Sequence, residues 1–315
     1  MSAVVVEKLV KHYPTRSGPV VAVDGVSFQV EPGEIVGLLG ANGAGKTTTI
    51  KCILGLILPT SGRVEVLGVP SHRPQVARHV AAVLEGARNV YWRLSVEENL
   101  AFFAGLQGLS PRRARTRIDK LIALFGLEEK RKTVANLLSQ GMKQKLAVAC
   151  ALVKDTEVVL LDEPTLGLDV ETSHELRRLI RQLAQEEGRT VLLSSHDMGV
   201  VEETCQRVVI LAQGKVVTDD RVDRLLKLFR TRAWSIQVAG GISQDTVNRL
   251  REVFPLIKLH SFDHGATLEV ELAPGQDFYE LLDLLREEGV ELEGISRAEP
   301  DLEEVFLKIV RGEER

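Results

Sequence analysis

Residues 40–47 read GANGAGKT and match the phosphate-loop pattern G-x-x-x-x-G-K-[ST]. The fixed positions of the pattern are Gly40, Gly45, Lys46 and Thr47. Residues 34–39, before the loop, form a short, mostly apolar run that is typical of a buried parallel strand. Residues 47–56, after it, carry apolar side chains at helical spacing. This order of strand, glycine loop and helix favours a phosphate-binding loop over an ordinary glycine-rich turn beside a solvated lysine.

The chemistry of such a loop predicts a nucleoside triphosphate bound together with Mg²⁺. Glycines let the backbone turn tightly, so that its N–H groups converge on phosphate oxygens. The start of the following helix adds partial positive charge at the same point. We expect Lys46 to contact the β- and γ-phosphates and the Thr47 hydroxyl to bind Mg²⁺. The other loop residues that we expect to bind the nucleotide are Asn42, Gly43, Ala44, Gly45 and Thr48.

The length and composition of the chain limit the classes of protein to which it can belong. Its 315 residues suit two domains, and its 40 basic and 44 acidic side chains give a net charge of −4, so we expect no direct binding to nucleic acid. The three cysteines are scattered, and we expect them to be reduced core thiols of a cytosolic protein. Neither a signal peptide nor a run of roughly 20 apolar residues is visible. We therefore expect a soluble protein that could dock on a membrane protein.

A second candidate site element lies in residues 157–164, which read EVVLLDEP and describe a buried strand ending in acids. In open α/β sheets, ligands bind at the carboxyl ends of the strands. We expect Asp162 to join the Mg²⁺ shell and Glu163 to orient or deprotonate an attacking water. His196 follows a further apolar strand, residues 190–194, at the same edge. A structural role and a catalytic role are equally open for this histidine.

Secondary structure can be predicted for two further parts of the chain. Residues 4–10, 20–23 and 26–30 are predicted to be short strands. The region of about residues 71–155 is predicted to be mostly helical, with Ser95 as the cap of one helix.

Two further positions allow alternative interpretations. Ser139, in the stretch LLSQGM, could simply cap the helix that follows, or it could form with Gly141 a second anion site at the start of that helix. Tyr13 lies in the predicted loop between the first two strands. It could be a half-buried loop aromatic or the platform on which an adenine ring stacks, and the residue alone favours the former.

The order of these motifs resembles that of the ATPase subunit of ATP-binding cassette (ABC) transporters. The phosphate loop, LSQGM at residues 138–142, VVLLDEP, the loop with Asp169 and SSHDM at residues 194–198 follow one another as they do in that family. One phosphate loop is a moderately specific signal, whereas this ordered set is very specific. The resemblance covers about residues 3–220 of the chain.

The resemblance implies a fold and a division of roles. The fold is the α/β P-loop NTPase fold of ABC ATPases, with a mixed β core, an antiparallel β subdomain and a helical subdomain. Tyr13 would stack on adenine, Glu163 would be the catalytic base, and His196 would reach the γ-phosphate near Lys46. The residues that would meet ATP held by a partner subunit are Ser139, Gly141 and Asp169. Two copies would therefore have to close over two MgATP to complete the sites.

The sequence departs from the family pattern at two places. The signature of the family usually reads LSGGQ, whereas this chain has LSQGM, with Gln140 and Met142 as the replacements. The family also carries a glutamine that touches Mg²⁺ and water, and the residue that aligns best with it is Glu85. A carboxylate can still offer an oxygen to a metal, although it adds a negative charge beside the phosphates. Tyr91 and Trp92 follow, in a region that either packs within the helical subdomain or meets the membrane subunit.

The tail of the chain has a different pattern from residue 221 onward. Alternating apolar residues and capped helical stretches predict the order βαββαβ of a small ferredoxin-like α+β domain, followed by a closing helix. We therefore predict an ATPase domain at residues 1–220 and an accessory domain at residues 221–315. Such an extension resembles those of bacterial multidrug, antibiotic and polysaccharide exporter ATPases. It shows no catalytic constellation, and we expect it to serve dimer contacts or regulation.

The predicted function combines these motifs with the resemblance. We expect a homodimeric or paired ATPase, peripheral on the cytoplasmic face of the cell membrane, that powers export through separate permease subunits. ATP would favour the closed dimer, and hydrolysis would remove that preference. The alternative is a soluble ABC ATPase acting on ribosomes or nucleic acid, although such relatives carry two cassettes or a long coiled coil. A regulator without turnover is a third hypothesis, which the intact Lys46, Glu163 and His196 disfavour.

Overall fold

The computed structural model of the chain describes most of its residues. The described ranges are 1–16, 18–85, 89–228, 233–240, 242–255, 257–262, 265–272, 276–297 and 302–311. Their contacts divide the chain into two compact units, one built on Met1–Val222 and the other on Asp223–Lys308. Within these described ranges, the first unit contains two β-sheets and the second unit contains one.

The first unit alternates strands and helices. Its strands are β1 (Val4–Tyr13), β2 (Val20–Val30), β3 (Ile35–Leu39), β4 (Ser61–Val66), β5 (Val69–Pro70), β6 (Val80–Val83), β7 (Val158–Asp162), β8 (Thr190–Ser195), β9 (Arg207–Ala212) and β10 (Lys215–Arg221). Its helices are α1 (Lys46–Ile53), α2 (Val96–Leu106), α3 (Pro111–Leu124), α4 (Gln140–Ala151), α5 (Val170–Gln185) and α6 (Met198–Thr204), and α7 (Val222–Leu228) follows β10. Short 3₁₀ turns lie at Pro74–Arg78, Glu128–Lys130 and Ala135–Leu137.

The six-stranded sheet brings the phosphate loop and the acids to one edge. Its strand order is β10-β9-β3-β8-β7-β6, and all neighbours are parallel except β10. Every residue of β3, β7 and β8 is buried, as their apolar sequences predicted. Because the strands are parallel, the loop after β3, Asp162 at the end of β7 and Ser194 near the end of β8 share one edge. The predicted α/β fold is confirmed in this sheet.

The second sheet of this unit is antiparallel, with the order β2-β1-β4-β5, and two details of its prediction were wrong. Residues 20–30 form the single strand β2, because Gly25, with φ 72°, lies in a register shift instead of ending the strand. Tyr13 is the last residue of β1, paired with Val20, and not a loop residue. Its ring is half-buried, and the Lys11 Nζ lies 5.3 Å from the ring centroid. The sheet therefore holds this aromatic ring in place.

The region predicted to be mostly helical, residues 71–155, also contains a strand. Helices α2, α3 and α4 lie there, but residues 80–83 form β6, which pairs with β7 at the end of the six-stranded sheet. These four residues, Val-Ala-Ala-Val, have no alternation that would separate a strand from a helix. Pairing with β7 therefore decides their conformation. Ser95 caps α2 as expected, in a capping box with Glu98.

The second unit is built on one antiparallel sheet. Its elements are β11 (Ala233–Ala239), α8 (Gln244–Val253), β12 (Ile257–Phe262), β13 (Gly265–Glu271), α9 (Phe278–Glu287) and β14 (Leu292–Arg297), and α10 (Leu302–Arg311) follows them in the chain. The element order and the strand order β12-β13-β11-β14 are those of the ferredoxin-like fold, so this prediction is confirmed. The apolar core of the sheet includes Leu250 and Phe254 from the α8 segment and Leu281 and Leu285 from α9.

The cysteines are part of the apolar interior. Cys52, Cys150 and Cys205 are all buried and form no disulfide within the described residues. Burial raises the pKa of each thiol, and that of Cys52 reaches about 11. These thiols are therefore protonated and poorly nucleophilic near neutral pH, as expected for core residues.

Candidate functional site

The phosphate loop has a backbone that accommodates only glycine at two of its positions. Gly45 has φ 106°, and a Cβ on this residue would lie 2.6 Å from the carbonyl oxygen of Ala22 in β2. A Cβ on Gly40 would lie 2.5 Å from the carbonyl oxygen of Leu211 in β9. Both distances are far shorter than a van der Waals contact. The loop is therefore packed closely against β2 and β9 at positions that only glycine can occupy.

The start of α1 is free to bind an anion. Within the described chain, no side chain caps this helix, and its first turn contains no acidic residue. The first N–H groups of a helix have no partner inside it and attract phosphate. In α1 they belong to Lys46, Thr47 and Thr48. Asn42 and Gly43 are exposed in the loop before the helix, whereas Ala44 is buried.

Lys46 is a buried cation at the centre of the site, with 6% of its surface exposed. Its Nζ donates to the carbonyl oxygen of Gly40 at 2.6 Å and lies 3.4 Å from that of Ala41. The same Nζ lies 3.6 Å from Glu163 Oε1. A buried ammonium with one carboxylate partner is well suited to receive more negative charge. The contacts of Lys46 therefore link the phosphate loop to the acids.

Asp162, the last residue of β7, has one carboxylate oxygen engaged and the other free. Its Oδ1 accepts hydrogen bonds from Ser194 Oγ at 2.5 Å and from Thr47 Oγ1 at 3.3 Å. Its Oδ2 is buried without a hydrogen-bond partner among the described residues. Such an oxygen is costly to bury unless a cation meets it. Because hydroxyl and carboxylate oxygens are the donors that Mg²⁺ prefers, Thr47 and Asp162 fit this ion.

Glu163 lies between the buried cation and a histidine. Its Oε1 faces Lys46, and its Oε2 lies 3.0 Å from His196 Nδ1. Glu163 has φ 50°, a left-handed conformation that costs a residue other than glycine roughly 1–3 kcal/mol and that is common at functional sites. Glu163 is buried, whereas the His196 side chain is 47% exposed. A buried carboxylate beside an accessible imidazole is suited to general base chemistry.

Strand pairing determines the positions of two further predicted residues. β6 pairs with β7 through Val83 and Leu161, so Glu85, two residues after β6, emerges at the same edge as the acids. Glu85 is exposed. Tyr13 pairs with Val20 of β2, two residues before Ala22, whose carbonyl oxygen lies where a Cβ on Gly45 would come too close.

The remaining predicted residues lie at the starts of α4 and α5. Ser139 caps α4, and its Oγ accepts the N–H of Met142 at 3.2 Å. Asp169 caps α5 and accepts the N–H and the hydroxyl of Thr172, each at 2.9 Å, which lowers the pKa of Asp169. Gly141 is buried, and a Cβ on it would overlap with Thr172 Cγ2. Close packing of α4 on α5 therefore gives Gly141 a structural role that the sequence did not reveal.

We expect Gly141→Ala to destabilise this packing, because the added methyl group would overlap with Thr172 Cγ2. Overpacking of this kind costs about 1–3 kcal/mol, which thermal unfolding should detect as a lowered midpoint. Adding Thr172→Ser removes the obstructing methyl group and keeps the hydroxyl for Asp169, so this second change should restore part of the loss. A double variant no more stable than Gly141→Ala would contradict the packing role.

Ser194 is the residue of the site that sequence reasoning missed. It lies near the end of the mostly apolar strand β8, and the available signal was a hydroxyl at the end of a strand parallel to the one that carries the acids. Strand register decides its importance, since Ser194 pairs directly with Asp162. The sequence does not show this register.

An exposed aromatic patch, formed by Tyr91, Trp92 and Phe102, lies in the helical part of the first unit. Tyr91 is 50% exposed and Trp92 57%, and the ring centroids of Tyr91 and Phe102 are 4.5 Å apart. The fully buried Asn99 fixes the segment before α2: its Oδ1 accepts the N–H of Tyr91, and its Nδ2 donates to the carbonyls of Tyr91 and Leu94. The exposure of both rings favours a contact surface over core packing.

Comparison with known proteins identifies close similarity to transporter subunits. The profile of the family described as ABC transporter matches residues 23–166. The bacitracin transport ATP-binding protein BcrA of Bacillus licheniformis is 34% identical over 293 residues, which cover 92% of this chain and 93% of that protein. The Nod factor export ATP-binding protein I of Paraburkholderia xenovorans is 33% identical over 309 residues, which cover 98% of this chain and 97% of that protein.

A solved structure shows the same fold in a nucleotide-bound dimer. The ATP-binding cassette MJ0796, in a dimeric post-hydrolysis state bound to ADP and Pi, matches with a TM-score of 0.63 and 25% identity over 70% of this chain and 98% of that one. In the part of this chain that the structure describes, no helix is long and apolar enough to cross a bilayer. The relatives do not favour the alternative of a soluble ATPase acting on ribosomes or nucleic acid. The chain belongs to the ABC transporter family and is the ATP-binding, ATP-hydrolysing subunit of such a transporter.

Proposed function

We propose that this chain powers an exporter by closing with a second copy over two MgATP and driving separate permease subunits. The observation that carries the proposal is the network of contacts that joins Lys46, Glu163 and His196 and lies beside Thr47 and Asp162. It combines a cation, a base and a metal-binding carboxylate at the carboxyl edge of one sheet. The relatives named for bacitracin transport and Nod factor export support an export role. The permease would choose the substrate.

Each residue of the network has a distinct role in the proposed hydrolysis. The Lys46 ammonium exchanges the carbonyl oxygen of Gly40 for oxygens of the β- and γ-phosphates. The ammonium also directs its charge away from Glu163 Oε1 to the phosphates, which leaves the Glu163 carboxylate free to accept a proton from a water that attacks the γ-phosphate. His196 holds Glu163 through its Nδ1, and its exposed ring reaches toward the γ-phosphate.

Thr47 and Asp162 would hold Mg²⁺, with Glu85 as a further oxygen donor. The unpartnered Oδ2 of Asp162 supports this assignment. When bound, Mg²⁺ neutralises charge on the β- and γ-phosphates. The Glu85 carboxylate emerges at the same edge, and its negative charge is tolerable beside the phosphates only when it faces a cation.

Groups outside the network complete the proposed nucleotide site. Tyr13, held at the end of β1, offers a half-buried ring to adenine. Ser139 and Gly141 would meet the γ-phosphate of ATP held by the partner, and Asp169 would cross the same interface. The Ser139 oxygen accepts the N–H of Met142, so its own O–H stays available for a phosphate oxygen. The start of α4 adds the charge of its dipole.

The aromatic patch is the proposed contact with the permease. Aromatic side chains that are exposed in the free protein are enriched at the centres of protein interfaces. Asn99 presents the patch on a rigid segment, which reduces the entropy lost on binding. This arrangement supports a preformed docking surface for a membrane subunit.

Replacing Trp92 with Asp should weaken the complex with the permease. A charge in the centre of an apolar interface removes a large contact and costs about 2 kcal/mol or more, which is roughly a 30-fold loss of affinity. Co-purification of the tagged subunit with its membrane partner measures the effect. The matched control is Val217→Asp in β10, where Val217 is 43% exposed outside the patch. Equal recovery of the membrane partner with both variants would contradict the assignment of the patch.

We propose that residues 1–220 are the ATPase domain and that residues 221–315 form an accessory domain serving dimer contacts or regulation. The separate core of the second unit supports a domain of its own. The subunit would work at the cytoplasmic face of the membrane, bound to its permease.

A pull-down tests this function. Tagged Glu163→Gln protein is mixed with MgATP and gently solubilised membranes of the source cell, because this variant should remain in the ATP-bound, closed state. MgATP-dependent recovery of a multi-spanning membrane protein would support the proposal and identify the membrane protein through which the substrate passes. Recovery of ribosomes or nucleic acid without a membrane protein would support the alternative.

A further inference from the structure

Ser194 is a fully buried hydroxyl at the edge of the sheet that carries the acids. Its residue is 0% exposed, and it is aligned with Asp162 in the parallel pairing of β8 and β7. Neighbouring residues in register on parallel strands have side chains on the same face. The hydroxyl therefore lies next to the carboxylate because of the backbone pairing, and not because of a flexible side chain.

The hydroxyl contacts both acids at once. Ser194 Oγ donates to Asp162 Oδ1 at 2.5 Å and accepts the N–H of Glu163 at 3.2 Å. The Glu163 N–H also donates to the carbonyl oxygen of Ser194, at 3.1 Å. A hydroxyl has one proton to give, so donation to the carboxylate leaves a lone pair for the N–H. The direction of both hydrogen bonds is thereby fixed.

These contacts restrain two energetically costly features of the site, the buried Asp162 carboxylate and the left-handed backbone of Glu163. The other bond to Asp162 Oδ1, from Thr47 Oγ1, is longer, at 3.3 Å, and Asp162 Oδ2 has no partner among the described residues. Glu163 is held in a left-handed conformation, with φ 50°. Without the Ser194 hydroxyl, the carboxylate could turn and the Glu163 backbone would lose one of its restraints.

The other hydroxyls of β8 differ from Ser194 in what they contact. Thr190 Oγ1 accepts the N–H of Gly33 at 3.0 Å, and Ser195 Oγ accepts the N–H of Asp197 at 3.0 Å. Both residues are buried, as Ser194 is, but these hydrogen bonds are to the backbone alone. Burial of a hydroxyl in this strand is thus not specific to Ser194, whereas its contact with both acids is.

We infer that Ser194 is a positioning residue for ATP hydrolysis, which keeps Asp162 Oδ2 free for Mg²⁺ and keeps Glu163 in its left-handed conformation. The inference rests on the proposed roles of Asp162 and Glu163. Ser194 should therefore affect the rate of hydrolysis and the gain in nucleotide affinity that Mg²⁺ gives. It should not affect the affinity for nucleotide in the absence of the metal.

The test compares Ser194→Ala with the parent in kinetics and in metal-dependent binding. Loss of a residue that orients a metal ligand typically costs about 10- to 100-fold in activity or metal affinity. We expect kcat to fall by this factor with little change in KM for ATP. At equilibrium, calorimetric titration with ADP should show the same affinity as the parent without Mg²⁺ and a smaller gain in affinity when Mg²⁺ is added.

The matched control is Thr190→Val, which removes a buried hydroxyl from the opposite end of β8, about 13 Å away. It should lower thermal stability but leave kcat and the gain from Mg²⁺ as in the parent. Parental values for Ser194→Ala, or equal losses in both variants, would overturn the inference. Glu163→Gln is measured in parallel: if it hydrolyses ATP like the parent, the proposed role of Glu163 is what has failed.

A second pair of variants covers the case in which Ser194→Ala does not fold. Ser194→Thr keeps the hydroxyl, and Ser194→Cys keeps the size but has a much weaker donor. The inference requires the threonine variant to exceed the cysteine variant in kcat and in the gain from Mg²⁺. Equal values for the two variants would overturn it.

Discussion

Glu163→Gln should lose hydrolysis by about 100- to 10,000-fold while still binding MgATP. Glutamine has the shape of glutamate but cannot accept the proton of an attacking water. It also keeps a side-chain oxygen that can face Lys46, which lies 3.6 Å from Glu163 Oε1. Because the γ-phosphate is then not removed, the closed dimer should accumulate. Phosphate release measures the rate, and light scattering after size exclusion measures the dimer.

The control for this prediction is Glu157→Gln at the opposite end of β7. The Glu157 side chain is 56% exposed and pairs with His79 Nδ1 at 3.4 Å, away from the carboxyl edge of the strand. The loss of one negative charge directly before the same strand should leave the ATPase rate unchanged. A Glu163→Gln protein that binds ATP and hydrolyses it as fast as the parent would show that Glu163 is not the base.

Lys46→Ala should abolish productive nucleotide binding. The ammonium is buried, donates to the carbonyl oxygen of Gly40 and lies 3.6 Å from Glu163 Oε1. Removing one partner of a buried charge pair costs about 2–5 kcal/mol, or roughly 30- to 5,000-fold in affinity. Calorimetric titration with MgATP checks this value. ATP-dependent dimerisation should disappear in the same variant.

Lys51→Ala is the matched control, since Lys51 lies in the last turn of the same helix, α1. It should bind MgATP like the parent, because the negative charge of a phosphate is favoured at the start of a helix and not at its end. If Lys46→Ala bound MgATP as tightly as the parent, the assignment of the phosphate site to Lys46 would be wrong.

The carboxyl edge of the six-stranded sheet could be predicted because its central strands are recognisable in the sequence. β3 and β7 are runs of apolar residues with no polar interruption before the loop and the acids. A parallel arrangement is the only common one for such fully buried strands, and it brings Lys46, Asp162 and His196 to one edge. The ferredoxin-like order of the tail could be predicted for a similar reason, since its strands alternate and its helices are capped.

The parts that could not be predicted depend on contacts between distant segments. The sequence of β6 suits a helix as well as a strand, and pairing with β7 decides between them. Tyr13 belongs to β1 because Val20 pairs with it across the turn. The importance of Ser194 depends on a register that places it opposite Asp162, and a shift of one residue would send it to the other face.

Thr172 links two helix starts that would otherwise be independent. Its methyl group lies where a side chain on Gly141 would have to be, and its N–H and hydroxyl both bond to Asp169. A displacement of either helix start therefore moves the other. If both face ATP bound by the partner, as proposed, the loss of one γ-phosphate releases them together. Opening at each site would then be a single joint event and not a sequence of separate releases.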